Sequence, residues 1–286
     1  MKRARVLYKG QLAAGVVQGD FIVVENGEKI AVLDAEYLPP ITPRQIIAAH
    51  LTYRSRCEEY KMKALPSFPS YFMKPVGSVS HHKAPVARPL GCRFLNYEGE
   101  LAVVIGRTCC NVPVERALEC VKGYTVANDW GTHDFRHADR GAMFRVKGQD
   151  GFCPLGPFLV DAADVNPDDL WLRTYVNGKL VQEGHTGTDM FFPVAYQIAD
   201  ISRLITLEEN DVMLTGTPAN SRPVEPGDVV AVEISGIGRL ENTVIELQRD
   251  LVPIGEQPRI TDLTLHVALA IPEEEAREKV SEYQVR

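Results

Sequence analysis

The sequence predicts an α+β fold rich in β-structure, and three observations carry that prediction. Short apolar or alternating runs recur along the chain, set apart by glycine and asparagine turns. Strand and helix signals follow a mixed order, not a regular βαβ alternation, so a doubly wound parallel sheet is disfavoured. Asn177-Gly178, between Thr174-Tyr175-Val176 and Lys179-Leu180-Val181, is a hairpin signal, because both turn positions accept positive φ readily.

The elements read in order as follows. Arg3 to Tyr8, Ala13 to Val17 and Phe21 to Val24 are strands separated by Gly10, Gly19 and Asn26-Gly27. Tyr37-Leu38-Pro39-Pro40 breaks the pattern, which places a small β-rich N-terminal subdomain over residues 1–43 and a larger body over 44–286. Pro43 to Lys63 has charged, helical spacing closed by Pro66 and Pro69. Further strands are expected at Leu101 to Ile105, Gly123 to Ala127, Leu170 to Val176, Val229 to Ile234 and Leu240 to Leu247. Helices are expected at Val114 to Val121 and Phe192 to Leu204, and a charged amphipathic helix over 272–286.

At 286 residues and 45% hydrophobic content, the chain can bury one substantial core. Its net charge of -7, with Lys and Arg scattered singly, provides no basic field for nucleic acid. The apolar stretch Val267 to Ile271 falls far short of the roughly 20 residues that cross a bilayer, so no membrane partner is expected. The basic start Met1-Lys2-Arg3-Ala4-Arg5 lacks a following apolar segment and is read as a cytoplasmic N-terminus. The six cysteines include no Cys-x-x-Cys pair, which fits free thiols in a reduced compartment. Cys153 reads as a small buried hydrophobe.

The chemistry is expected at acids. Tyr97-Glu98-Gly99-Glu100 runs into the apolar Leu101-Ala102-Val103-Val104-Ile105. On a strand, side chains two residues apart share a face at roughly 6–7 Å, so Glu98 and Glu100 can converge. Taken alone, the pair reads as a solvated strand end. A second apolar strand, Gly123 to Ala127, ends in Asn128-Asp129 and adds a third acid. Carboxylates gathered this way repel unless a cation neutralises them, and hard oxygen donors favour Mg²⁺, Mn²⁺ or Ca²⁺ over zinc.

An ordered set of motifs resembles the fumarylacetoacetate hydrolase superfamily over roughly Leu51 to Leu247. The set runs Tyr71-Phe72-Met73-Lys74-Pro75, Glu98-x-Glu100-Leu101-Ala102-Val103-Val104-Ile105-Gly106, then Gly123-Tyr124-x-x-Ala127-Asn128-Asp129. Lys147-x-x-Asp150-Gly151-Phe152-Cys153-Pro154-Leu155-Gly156-Pro157, Val176-Asn177-Gly178, Gly216-Thr217-Pro218, Pro226-Gly227-Asp228 and Gly236-x-Gly238-x-Leu240-x-Asn242 follow. The resemblance implies a mixed β-sandwich or roll that dimerises, with Glu98, Glu100 and Asp129 holding one Mg²⁺ or Mn²⁺ per chain. It further implies that Lys147 and Thr217 contact the oxygens of a small oxo acid, with Asp150 orienting Lys147. The stretches around Val146 to Phe152 and Leu214 to Asp228 look most similar to the homoprotocatechuate branch of decarboxylases and isomerases.

Two departures shape the expected reaction. Where members of the superfamily carry Asn-Tyr-x-x-His, this chain has Thr52-Tyr53-Arg54-Ser55-Arg56, and an arginine cannot act as a general base. Glu59 remains as a residue that could hold or activate water. After Asp129, the usual Arg-Asp pair becomes His133-Asp134, with Arg136 close by. His133 is read as a substrate or proton-transfer group with a structural role as its competitor, and the His133-x-x-x-His137 spacing as chance. Arg56 is expected to clamp a remote carboxylate, and Arg136 is counted among the substrate-binding residues. The expectation is therefore decarboxylation or isomerisation of a 2-oxo di- or tricarboxylic acid through a metal-stabilised enolate. Carbon–carbon hydrolysis of an acylpyruvate stands second and a non-catalytic metal-binding relative third.

Overall fold

Tight turns at Gly10 and Gly19, both at positive φ, fold the first strands into a meander. A computed structural model describes residues 1–284. Its first strands are β1 (Lys2–Tyr8), β2 (Gln11–Gln18), β3 (Phe21–Val24), β4 (Lys29–Ala31) and β5 (Glu36–Leu38). β1 pairs antiparallel with β2 and β5, while Lys2 and Arg3 pair with Val160 and Leu159 of the body. The N-terminal strands thus extend the main sheet, while Val6, Ile22, Val24 and Tyr37 gather in a small core against Phe158.

The helix expected over Pro43 to Lys63 is corrected by the structure. Its first half is a strand, β6 (Ile46–His50), and only α1 (Arg54–Glu59) is helical. Ile46 to Ala49 are all buried, and a strand covered on both faces loses the two-residue alternation that identifies strands in sequence. β7 (Ser70–Lys74), β8 (Val79–His81), β9 (Val86–Arg88), β10 (Leu95–Asn96) and β11 (Gly99–Ile105) follow. Val114 to Val121 is shorter than expected: α2 (Val114–Ala117) leads through a 3₁₀ turn into β12 (Val121–Asn128). Next come β13 (Gly131–Thr132), α3 (Arg136–Asp139), α4 (Phe144–Lys147), β14 (Cys153–Asp161), β15 (Trp171–Val176) and β16 (Lys179–His185). The chain closes with α5 (Val194–Ser202), β17 (Val212–Leu214), β18 (Val229–Ile234), β19 (Gly238–Glu246), α6 (Asp262–Leu269) and α7 (Glu273–Gln284). The expected Asn177-Gly178 hairpin joins β15 to β16, with φ of 50° and 78° at its two turn residues.

The large sheet runs β4-β3-β2-β1-β14-β12-β11-β17-β6-β7, and a second sheet runs β16-β15-β18-β19-β9. β11, fully buried, shows how they join. Its Leu101, Val103 and Ile105 belong to the core shared with Leu172, Val232, Ile234 and Leu240 of the second sheet. Ala102 and Val104, on the opposite face, pack with Ile46, Leu155 and Leu214. Each large side chain buried in this way contributes about 1.5–3 kcal/mol before conformational entropy is counted. Among the described residues, no helix is long and apolar enough to cross a membrane.

His82, in the loop between β8 and β9, ties β19 of the second sheet to β5 beside the first, and its environment disfavours the protonated ring. Its Nδ1 accepts the Glu241 N–H at 3.0 Å, and its ring meets Tyr37 edge-on at 5.1 Å. Burial, then the Lys83 charge, pushes its pKa down from 6.5 to about 4. The unfolded chain therefore takes up this proton first, so stability is lost as pH falls from about 6.5 towards about 4. We expect His82→Asn to lose less melting temperature than wild type on acidification across that window. Equal losses would rule out His82 as a contributor.

Candidate active site and metal centre

Strand alternation assembles the acids. Glu98 precedes β11 and Glu100 lies within it, on the face that also carries Ala102 and Val104. Gly99 between them faces the second sheet, where a Cβ would come within 2.3 Å of Thr174 Oγ1 and 3.0 Å of Val232. Only glycine lets the two sheets close behind the acids. Antiparallel pairing sets Asn128 of β12 opposite Gly99. Asn128 Oδ1 accepts the Glu98 N–H at 2.8 Å, and the Asp129 N–H donates to the Glu98 carbonyl at 2.8 Å. Glu98, Glu100 and Asp129 consequently offer oxygens that all lie within 4.8 Å of one another.

Two buried lysines answer part of this charge. Lys147 Nζ, at the end of α4, donates to Glu98 Oε2 at 2.6 Å and to the Asp129 carbonyl at 2.7 Å, and lies 2.9 Å from Asp129 Oδ2. Its stem passes over Gly131, where a Cβ would meet Lys147 Cε at 2.9 Å. Lys74 Nζ donates to Asp129 Oδ1 and to the Lys147 carbonyl, each at 2.5 Å. Burial raises the Asp129 pKa, but Lys147 and Lys74 outweigh it and hold the carboxyl below its usual range. Burial likewise lowers that of Lys147, yet Asp129 and Glu98 keep its ammonium above the ordinary value.

Glu100 lacks such relief. Burial first, then the Asp129 and Glu98 charges, drive its pKa well above the carboxylate range, offset in part by the Gly216 N–H donating to Oε2 at 2.7 Å. A carboxyl so placed is biased towards its protonated form, and a cation among the three acids would reverse that bias. Three converging carboxylates, one of them without a cationic partner among the described residues, are a donor set that fits a hard divalent ion.

A cavity opens onto this cluster. Arg56, His133, Arg136, Lys147 and Thr217 line it together with Glu98 and Glu100. Thr217 is buried and its Oγ1 accepts from Gln182 Nε2 at 3.1 Å. His133 is buried with no hydrogen-bond partner at either ring nitrogen among the described residues, and burial, then Arg136, pushes its pKa well below 6.5. Its imidazole is thus neutral. Arg56 is buried and committed, reaching Glu59 Oε2 at 2.7 Å and Glu98 Oε1 at 3.4 Å. Arg136, half-buried, donates to Met143 Sδ and has no carboxylate in salt-bridge range among the described residues.

Two expected roles are corrected by geometry. Asp150 is exposed and lines a separate cleft with Phe144 and Leu251, because the chain turns to the surface after α4. The partners that orient Lys147 are Glu98 and Asp129. The Glu59 carboxylate is engaged by Arg56, by Arg222 at 2.5 Å and by the Asn220 N–H at 3.0 Å, so both its oxygens already accept from the protein.

Lys74 stands in the Tyr71 to Pro75 motif, which by itself assigns it no role. Its signal was a lone charge in the run Ser70–Lys74, where it is the one residue fully buried. Tyr60 and Val267, which also line the cavity, carried no signal, since nothing local marks a residue that meets the site only through tertiary packing.

The fumarylacetoacetate (FAA) hydrolase C-terminal family model matches residues 45–245 of this chain. The chain belongs to that family. The 4-hydroxyphenylacetate degradation bifunctional isomerase/decarboxylase of Salmonella dublin is 39% identical over 201 residues, which are 70% of this chain and 46% of that protein. The 5-carboxymethyl-2-hydroxymuconate delta-isomerase of Mycobacterium smegmatis superposes with a TM-score of 0.79 at 34% identity, over 87% of this chain and all (100%) of the other. The fumarylacetoacetate hydrolase of psychrophilic Exiguobacterium antarcticum gives 0.76 at 32%, over 86% of this chain and 100% of that one. FAA hydrolase family relatives thus include isomerase/decarboxylases and a hydrolase, and the β-rich mixed fold is the one these neighbours share.

Proposed function

We propose that this chain is a divalent-metal-dependent decarboxylase or isomerase of a small 2-oxo di- or tricarboxylic acid of the kind met in aromatic-compound catabolism. Arg136 carries the reading. A half-buried guanidinium without a carboxylate partner among the described residues suits an anion, and it lines the same cavity as Glu98 and Glu100. A substrate with one carboxylate at each end satisfies both. The relatives' printed activities, isomerase and decarboxylase, support the same class.

Mg²⁺ or Mn²⁺ held by Glu98, Glu100 and Asp129 would chelate the 2-oxo and carboxylate oxygens and polarise the carbonyl. Lys147 brings an ammonium to the same place, where negative charge grows on the oxo oxygen as a C–C or C–H bond breaks. Thr217 offers a hydroxyl for the carboxylate. Neutral His133, free at both ring nitrogens among the described residues, can take up a proton and return it at the neighbouring carbon. Hydrolysis ranks second because Arg56 stays protonated where a general base would stand, and both oxygens of Glu59 already accept hydrogen bonds. Carbon–carbon hydrolysis remains the second reading, supported by the likeness to the Exiguobacterium antarcticum hydrolase.

Oxaloacetate turnover followed with Mg²⁺ and with EDTA tests the class, and CO₂ release without a second carboxylic fragment separates decarboxylation from hydrolysis. Arg136→Met is expected to raise KM for a dicarboxylic oxo acid by about 10- to 100-fold, the worth of a charge-assisted hydrogen-bonded pair. A monocarboxylic oxo acid should suffer at least tenfold less. Equal penalties on both would remove Arg136 from the substrate.

A further inference from the structure

One residue lining the cavity comes from a helix that the family model does not reach. Thirteen of the residues lining the cavity fall within the matched stretch 45–245, and Val267 alone lies outside it. Val267 sits on α6, which begins at a capping box between Thr261 and Thr264 and ends at Ala270 in the left-handed region. Leu265 and Ala268 of α6, with Ala276 of α7, are buried against Phe94.

α6 is fixed to the backbone that positions the site. Asn96 Nδ2, buried, donates to the Ala268 carbonyl at 2.9 Å, and the Arg259 N–H donates to the Asp134 carbonyl at 2.9 Å. Asn96 lies two residues before Glu98, and Asp134 follows His133. Tyr60, itself on the cavity wall, donates from its hydroxyl to the Val267 carbonyl at 3.3 Å while Arg56 lies over its ring at 4.7 Å. The helix is therefore tied to the segments that carry the acids, and Val267 lines the cavity they face.

The cavity is tightly lined: ≈ 20 Å³ of free interior remains between its side chains, so a bound oxo acid would press against its walls. In so narrow a site, one methyl group more or less on a rigid wall discriminates between substrates by about 10- to 200-fold. We propose that Val267 is a specificity-determining residue, which limits the length of the substrate segment beyond the chelated oxo-acid end. The inference rests on the oxo-acid reading above and assigns to the α6 helix, outside the family's common body, the choice among oxo acids.

The test compares oxaloacetate with 2-oxoadipate, two carbons longer, by the Mg²⁺-dependent exchange of C3 protons with D₂O on the full chain, a step open to both acids because C3 lies next to the oxo carbon in each. Val267→Phe should lower kcat/KM for 2-oxoadipate at least tenfold more than for oxaloacetate, and Val267→Ala should shift the ratio about 5- to 10-fold the other way. Unchanged ratios in both variants overturn the inference. Melting curves show whether the phenylalanine displaces α6, in which case the alanine variant alone decides. Should wild type turn over neither acid, calorimetric titration of the Mn²⁺ protein with oxalate and with 2-oxoadipate separates the two failures. Binding ratios that shift with residue 267 keep the wall and reject only the activity; binding of neither acid rejects both.

Discussion

Asp129→Ala is expected to abolish saturable Mn²⁺ binding and, with it, all metal-dependent turnover, and to destabilise the fold by about 3–5 kcal/mol. Both effects come from one carboxylate. It supplies one of three oxygens within 4.8 Å of each other, and it is the counter-charge of Lys74 and Lys147, which are buried to 2% exposure. Its removal leaves two ammonium groups without water and, at Lys74, without any other carboxylate in salt-bridge range among the described residues. Isothermal titration with Mn²⁺ and thermal melting read the two effects separately. The double variant Asp129→Ala/Lys74→Met should recover part of the stability and none of the metal binding. Saturable binding of unchanged affinity in Asp129→Ala would end the assignment of the metal site.

Lys147→Met separates charge stabilisation from metal binding. The ammonium group touches Glu98 and Asp129 at 2.6 and 2.9 Å, so it competes with a divalent ion for their oxygens. Methionine keeps most of the stem's volume over Gly131 and removes that competition. Mn²⁺ should bind at least as tightly as in wild type, while kcat falls by about 10²- to 10³-fold, the usual effect of deleting one preorganised donor at a developing oxyanion. Unchanged kcat would show that Lys147 only balances charge. Loss of Mn²⁺ binding would show that it shapes the metal site.

The acid triad was legible because its parts are local. Glu98 and Glu100 are two apart on a strand whose apolar tail announces it, and Asp129 closes a second such strand. Their partners were not. Asp150 stands three residues from Lys147 and points to solvent, whereas Glu98 is 49 residues away and makes the contact. Glu59 looked free to hold water until Arg222, 163 residues away, was found on its carboxylate. The strand Ile46–His50 was read as helix because burial on both faces erased its alternation.

Composition, strand periodicity and motif order by themselves determined the β-rich class, the family and the acids at two strand ends, because these follow from side-chain alternation and residue chemistry over a few positions. Only the tertiary structure decided which charges are already neutralised, that Arg136 and not Arg56 is left without a carboxylate partner among the described residues, and that α6 brings Val267 to the cavity. Ion pairing and burial depend on distances between residues far apart in the chain, and those distances exist only once the sheets have packed.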